Sequence, residues 1–217
     1  MVGSTAMQRR LERFSDAGFN FDPRALRESA GYERTDERHS LPSEAPGDPT
    51  TGGSWDIARR LIANYEFADP SIVRAYFDPD VPLAGRTMVL QLRALNLFRV
   101  HVGVRILRVI DETRPLNGRR ARVWGWTYGT LTGHVESGEM SWEVWKYLDT
   151  GDVEFRVHAL SRPARIHNPF TNVGFRVLGP HERKTFLHSS GERMNRLITQ
   201  ALGEADASSS AVSARSR

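Results

Sequence analysis

The chain has 217 residues and a formal net charge of only +4, with acids and bases interspersed along its length. It has no cysteine, which excludes disulfides, thiolate nucleophiles and Cys-ligated zinc. No stretch approaches the roughly 20 apolar residues that cross a bilayer, and Met1 to Phe14 holds no apolar run suited to a signal peptide. A cytoplasmic protein without a membrane span is therefore expected.

In chain order, residues 1–18 read as a polar, frayed or disordered N-terminus. A single α+β domain follows over 19–202, and its opening Phe19-Asn20-Phe21-Asp22-Pro23 is anchored by two aromatics. Residues 33–53 are rich in Pro, Gly, Ser and charge and read as an extended loop within the domain. Ser54 is placed to cap a helix, because Trp55, Ala58, Ile62 and Tyr65 recur at spacings of three and four. Asp69-Pro70 reads as the start of a second short helix to Phe77, which Asp78-Pro79-Asp80 ends.

Strand signals then run in series. Met88, Leu90 and Leu92 alternate with polar residues, and Val100, Val102, Val104 and Ile106 do the same. Asn117-Gly118 predicts a tight hairpin turn into Val123 to Thr130. Gly133 to Tyr147 and Val153 to Ser161 complete the set. Sequential strands joined by short turns must be antiparallel neighbours. Asn168-Pro169 opens a predicted helix over Phe170 to Leu178, which Gly179-Pro180 interrupts. A longer helix follows, with Phe186, Leu187, Ser190, Met194, Leu197 and Ile198 on one stripe. Residues 203–217 are Ala/Ser-rich and read as a disordered tail.

The central strands carry the functional signal. Trp124, Trp126 and Tyr128 share one face of a strand whose other face is Val123, Gly125, Thr127 and Gly129. One side is bulky and the other nearly bare, and glycine within a strand marks a bend or a close approach. Met140, Trp142 and Val144 lie opposite Glu139, Glu143 and Trp145. Val153, Phe155, Val157 and Ala159 form an ordinary core face, backed by Glu154, Arg156 and His158. That second face is read either as a solvated one, with Glu143 or Glu139 paired to Arg156, or as a polar-tipped cavity lining.

Trp124, Trp126, Tyr128, Trp142, Trp145, Arg156 and His158 are the candidate ligand-binding residues. His134, Glu136, Glu139 and His158 are the candidate acid–base residues, because imidazoles and carboxylates supply general acid–base chemistry. His134 and Glu136 are two apart on a strand, a spacing too common to indicate a metal site, and no metal or cofactor is expected. Ser161 lacks a nucleophile elbow, and Thr51-Gly52-Gly53-Ser54 lacks the Gly-Lys-Ser/Thr of a phosphate loop. The run Arg119-Arg120-Ala121-Arg122 sits at the hairpin end and reads as solvated, so no nucleic-acid partner is expected despite a pI of 9.8. No motif sets an oligomeric state.

Thr130-Leu131-Thr132-Gly133-His134, Gly138-Glu139, Gly151-Asp152-Val153-Glu154-Phe155 and Ser161-Arg162-Pro163-Ala164 together resemble the uncharacterised family called domain of unknown function nineteen-ninety. Phe19-Asn20-Phe21-Asp22 resembles its N-terminal signature. Trp55-Asp56-Ile57-Ala58-Arg59-Arg60, Ala75-Tyr76-Phe77 and Val123-Trp124-Gly125-Trp126 resemble its bacterial members. That family carries no established activity. The element order also resembles the helix-grip, START-like superfamily, which implies a curved antiparallel sheet packed on a long C-terminal helix with short helices near the start. In that superfamily the first element is usually a strand, and here the only N-terminal candidate lies before the long loop. The resemblance implies a non-enzymatic binding protein for a hydrophobic small molecule or lipid. The alternatives are a cyclase- or isomerase-like enzyme using a His/Glu pair, and a protein-interaction module without a ligand.

Overall fold

The structure, a computed structural model, describes residues 5–26, 30–94, 98–116, 118–164, 184–205 and 207. The helix expected over Phe170 to Leu178, the break at Gly179-Pro180, Asn117 and the chain beyond residue 207 lie outside the described residues. Seven strands form one antiparallel sheet: β1 (Glu33–Leu41), β2 (Val73–Tyr76), β3 (Thr87–Ala94), β4 (Phe98–Leu116), β5 (Arg119–Thr130), β6 (Glu136–Tyr147) and β7 (Val153–Pro163). Their order is β1-β7-β6-β5-β4-β3-β2, so the last strand pairs with the first. Helix α1 is Thr5–Ser15, α2 is Ser54–Ala63, and α3 spans residues 184–205.

One face of the sheet packs against α2 and α3. Trp126, Trp142 and Val157 are cross-strand neighbours on it, as are Trp124, Val144 and Phe155. They share one core with Trp55, Ala58 and Ile62 of α2 and with Leu187, Met194 and Ile198 of α3. This is the helix-grip arrangement: a sheet closed around its C-terminal helix, where the alternating apolar positions of successive strands find a common partner. Leu107 sits in a register shift between Ile106 and Arg108, which adds curvature where β4 runs past the end of β3.

Four sequence expectations need correcting. Glu33–Leu41, assigned to an extended loop, is β1, and its residues Glu33 to Leu41 pair with Ser161 to Val153 of β7. It is an edge strand whose only aliphatic residue is Leu41, so tertiary pairing defines it and hydrophobic alternation does not. It is also the opening strand that the helix-grip order requires. The short helix expected from Asp69 is a turn leading into β2. The Asp69 carboxylate accepts the backbone and side-chain hydrogens of Ser71, and Val73 to Tyr76 pair with Leu92 to Val89. Ser54 does not cap α2; Gly53 is the N-cap residue, and no side-chain bond comes from it. Finally, α3 continues through residue 205, past the expected start of the tail.

The N-terminus is helical where a frayed segment was expected. Met7, Leu11 and Phe14 form a stripe that packs on Val89 and Leu131 on the outer face of the sheet. Gly103 leaves the room that Phe14 fills, since any Cβ there would overlap the Phe14 ring. Arg105 closes the end of α1 by donating to the carbonyls of Phe14, Ser15 and Ala17 at 2.7–3.1 Å. Among the described residues, no helix is long and apolar enough to cross a membrane.

Candidate functional site

The centre of the grip is an aromatic cage. Trp142 is fully buried, with the Phe67 ring centroid at 4.3 Å, Phe155 stacked at 6.0 Å, Phe186 of α3 edge-on at 5.9 Å and Tyr65 edge-on at 6.3 Å. Trp126 is stacked on Tyr65 at 6.0 Å, and its indole N–H donates to the Ile62 carbonyl at 3.2 Å. Tyr128 donates to the Met140 sulfur at 3.4 Å. Trp124, Trp126, Tyr128 and Trp142 therefore converge on one face, as their alternation in sequence predicts.

Tyr65 and Phe67 were not among the expected site residues, because they come from the chain just after α2 and fall on no strand. Tyr65 has φ of 60°, the left-handed region, where a side chain is strained and glycine is favoured. The helix ends there through Glu66 N–H to the Leu61 carbonyl and Tyr65 N–H to the Ile62 carbonyl. A strained backbone at this position delivers a phenol to the middle of the core. Its hydroxyl lies beside that of Tyr128, and burial pushes its pKa well above the ordinary tyrosine value, so it stays protonated. The Trp142 indole N–H is buried with no hydrogen-bond acceptor among the described residues. An unpaired buried donor costs free energy on the order of 1–3 kcal/mol.

Trp145, Arg156 and His158 lie on the opposite face of the sheet from the other four. Arg156, 3% exposed, stacks its guanidinium 4.1 Å from the Trp145 centroid and bonds to Glu154 and the Tyr147 hydroxyl. Arg114 covers Trp145 at 5.0 Å, and the Trp145 indole donates to Glu143 at 2.8 Å. The expected pairing of Glu143 or Glu139 with Arg156 on a wet face does not form. Arg156 takes the nearer Glu154, two residues away on its own strand, and the surrounding aromatics keep this patch dry.

The acid–base candidates His134, Glu139 and His158 do not converge on one centre either; His134 contacts the backbone of the fourth, Glu136. Glu139 is held by Arg108 through two contacts at 3.2 Å. His158 lies 3.6 Å from Asp36 on the outer face. His134 belongs to the β5–β6 turn. Its Nδ1 lies 2.9 Å from the Glu136 N–H and 3.1 Å from the Glu136 carbonyl, so its ring is held by the backbone of Glu136. Burial pushes its pKa down to about 4, the backbone contact of Glu136 opposing only in part. The unfolded chain takes up this proton near pH 6.5 and the folded chain only near pH 4, so stability falls as pH drops through that window. The loss reaches about 3 kcal/mol. Urea unfolding of the wild type and of His134→Gln across this range checks it: the variant is expected to lose this part of the pH dependence.

Around that turn, the segments resembling the family motifs do meet. Asn20 accepts the Thr130 hydroxyl at 2.6 Å and donates to the Glu136 carbonyl at 2.8 Å, while the Ser137 hydroxyl donates to the Asn20 carbonyl at 3.2 Å. Tyr32 bonds with Ser137 at 3.3 Å and lies under the Arg162 guanidinium at 4.4 Å. Phe19 and Phe21 occupy the space left by Gly129. The cluster ties the N-terminal segment to β5, β6 and β7. Its bonds are all satisfied within the fold, which is the behaviour of a brace. Among the described residues, no three His, Asp or Glu side chains come together to hold a metal.

No curated protein matches the chain. Among solved structures it is similar to Ara h 8.0201, at 10% identity over 78% of this chain and 99% of that one, with a TM-score of 0.48. It is also similar to a norcoclaurine synthase point mutant from Thalictrum flavum, at 10% identity, 79% and 98% coverage and a TM-score of 0.45. Human STARD10 follows at 9% identity, 82% coverage of each chain and a TM-score of 0.36. The family model described as domain of unknown function (DUF1990) matches residues 22–185, so β1 to β7 with α2 between them, though not α1, fall within a known family: the chain belongs to DUF1990.

Proposed function

We propose that this protein binds an apolar small molecule carrying one hydrogen-bond acceptor, held between the concave aromatic face of the sheet and α3. The observation that carries the reading is the Trp142 indole N–H, buried without an acceptor among the described residues in a largely aromatic cage. Apolar pockets with a few placed polar groups are the general form of small-molecule sites. Tyr65 supplies a second polar group, and the backbone strain that positions it is the kind found at ligand clamps. A carbonyl or ether oxygen of the ligand would accept from Trp142, and its carbon skeleton would lie against Phe67, Phe155 and Trp126. His134, Glu139 and His158 do not converge on this cage, which favours binding without chemistry over an acid–base enzyme.

Titration with a panel of lipids and aromatic metabolites, read by tryptophan emission and melting temperature, tests this. A true ligand at about 100 times its dissociation constant stabilises the fold by about 2.7 kcal/mol. A panel that leaves both signals unchanged, including ketones, esters and fatty acids, contradicts the proposal.

A further inference from the structure

Among the described residues, five arginines of β4, β5 and β7 are paired with acids: Arg108 with Glu139, Arg114 with Glu112, Arg119 with Asp149, Arg122 with Asp111 and Arg156 with Glu154. At one place two arginines without such partners face each other. Arg93 of β3 and Arg99 of β4 stand directly opposite each other in the register, two like charges on neighbouring strands. Such a pair is destabilising unless something compensates it. Among the described residues neither makes an ion pair, and no acidic residue lies in the sequence between them. Gln91 and His101, the next pair on the same face, bond to each other at 2.9 Å. Burial, with Arg10 of α1 and Arg99 close by, holds the His101 pKa below its ordinary value. Among the described residues, Arg10 donates to the Ala6 carbonyl of its own helix. Glu12 and Asp16, the acids of the same N-terminal stretch, form no ion pair with these arginines among the described residues. Three arginines and a histidine thus share one patch, where α1 crosses the outer face of β3 and β4.

We propose that the patch formed by Arg10, Arg93, Arg99 and His101 docks the protein on the phosphate-bearing surface of an anionic lipid bilayer. The charge argument stands by itself. The choice of a bilayer over another polyanion rests on the apolar-ligand reading above, since such a ligand partitions into membranes and must be collected from or delivered to one. Each arginine near an anionic membrane surface raises binding by a factor of about five.

The test is co-sedimentation of the full chain with phosphatidylcholine vesicles, with and without phosphatidylserine, at low and high salt. Binding to the phosphatidylserine vesicles alone, lost at high salt, is expected. Arg93→Gln/Arg99→Gln is expected to weaken it about 30-fold. Arg38→Gln/Arg122→Gln, which removes the same charge from arginines paired with acids, is expected to leave it within about twofold. No binding to phosphatidylserine vesicles, equal losses in the two double variants, or tighter binding to a single-stranded RNA oligomer than to vesicles would each overturn the proposal. Ligand titration of Arg93→Gln/Arg99→Gln in vesicle-free buffer separates the two readings. Wild-type ligand binding with lost docking places the defect at the patch, whereas docking by a chain that binds no apolar ligand removes the cargo reading and the reason for choosing a bilayer.

Discussion

Replacing Lys146 by methionine is expected to lower the unfolding free energy by about 3–5 kcal/mol. Lys146 is 0% exposed and the Glu44 side chain 5%, with 2.7 Å between the ammonium and the carboxylate. The ammonium also donates to the Asp48 carbonyl at 2.9 Å. Glu44 accepts the Thr50 N–H at 2.9 Å and the Trp55 N–H at 2.7 Å, so it supplies the cap at the start of α2 that Ser54 does not. One buried pair thus fixes the 42–53 segment, the entry into α2 and the end of β6. Removing Lys146 strands a buried carboxylate, and removing Glu44 strands a buried ammonium, the loop N–H of Thr50 and the helix-terminal N–H of Trp55. Glu44→Gln with Lys146→Met is expected to cost less than the sum of the single changes, since neither charge is then left alone. Urea unfolding of the four proteins measures the coupling. Burial raises the Glu44 pKa, but the Lys146 and backbone hydrogen bonds outweigh it and hold the value below 4.5. The stabilisation from this carboxylate is therefore complete above about pH 4.5 and lost as pH falls through the lower folded-state value. That window lies beneath the one set by His134, and the two can be told apart in an acid titration.

Trp142→Ala is expected to cost about 3–5 kcal/mol, as large-to-small changes of fully buried aromatics do. Its ring meets Phe67, Phe155, Phe186 and Tyr65, so the cavity opens where the sheet, α3 and the chain after α2 meet. Tyr65→Phe is expected to behave differently. It keeps the ring contacts with Phe67 and Trp126 and removes only a buried hydroxyl, so stability of the free protein should change by less than about 1 kcal/mol. If the cage holds a ligand oxygen near Tyr65 and Trp142, the same variant should lose about tenfold in affinity, the value of one net hydrogen bond. A purely structural tyrosine predicts no such split between stability and affinity. Denaturant unfolding and fluorescence titration of Tyr65→Phe measure the two quantities.

The strands most legible in the sequence were those buried on one face. Met88 and Leu90, Val102 to Ile106, Trp124 to Tyr128 and Val153 to Ala159 each alternate because the concave face needs apolar residues at every second position. β1 was invisible because Glu33–Leu41 is polar up to its last residue and holds its place by pairing with β7. α1 was missed because its stripe has only Met7, Leu11 and Phe14, and the partners that make it a helix, Gly103 and Arg105, lie far along the chain. Asp69-Pro70 carries a helix-start signal, yet the pairing of Val73 to Tyr76 with β3 prevailed. The shared face of the four aromatics Trp124, Trp126, Tyr128 and Trp142 follows from their period of two. The separation of Trp145, Arg156 and His158 from them follows from that same period. Tyr65, Phe67 and the Glu44–Lys146 pair depend on tertiary contacts that no local pattern encodes.

Native mass spectrometry of the protein, purified gently from its own host, tests the central claim most directly. An apolar molecule of a few hundred daltons, bound one to one in the wild type and depleted in Tyr65→Phe, is the expected result. A bare polypeptide mass from the host, together with unchanged tryptophan emission across the ligand panel, would mean that the aromatic cage is a core and nothing more.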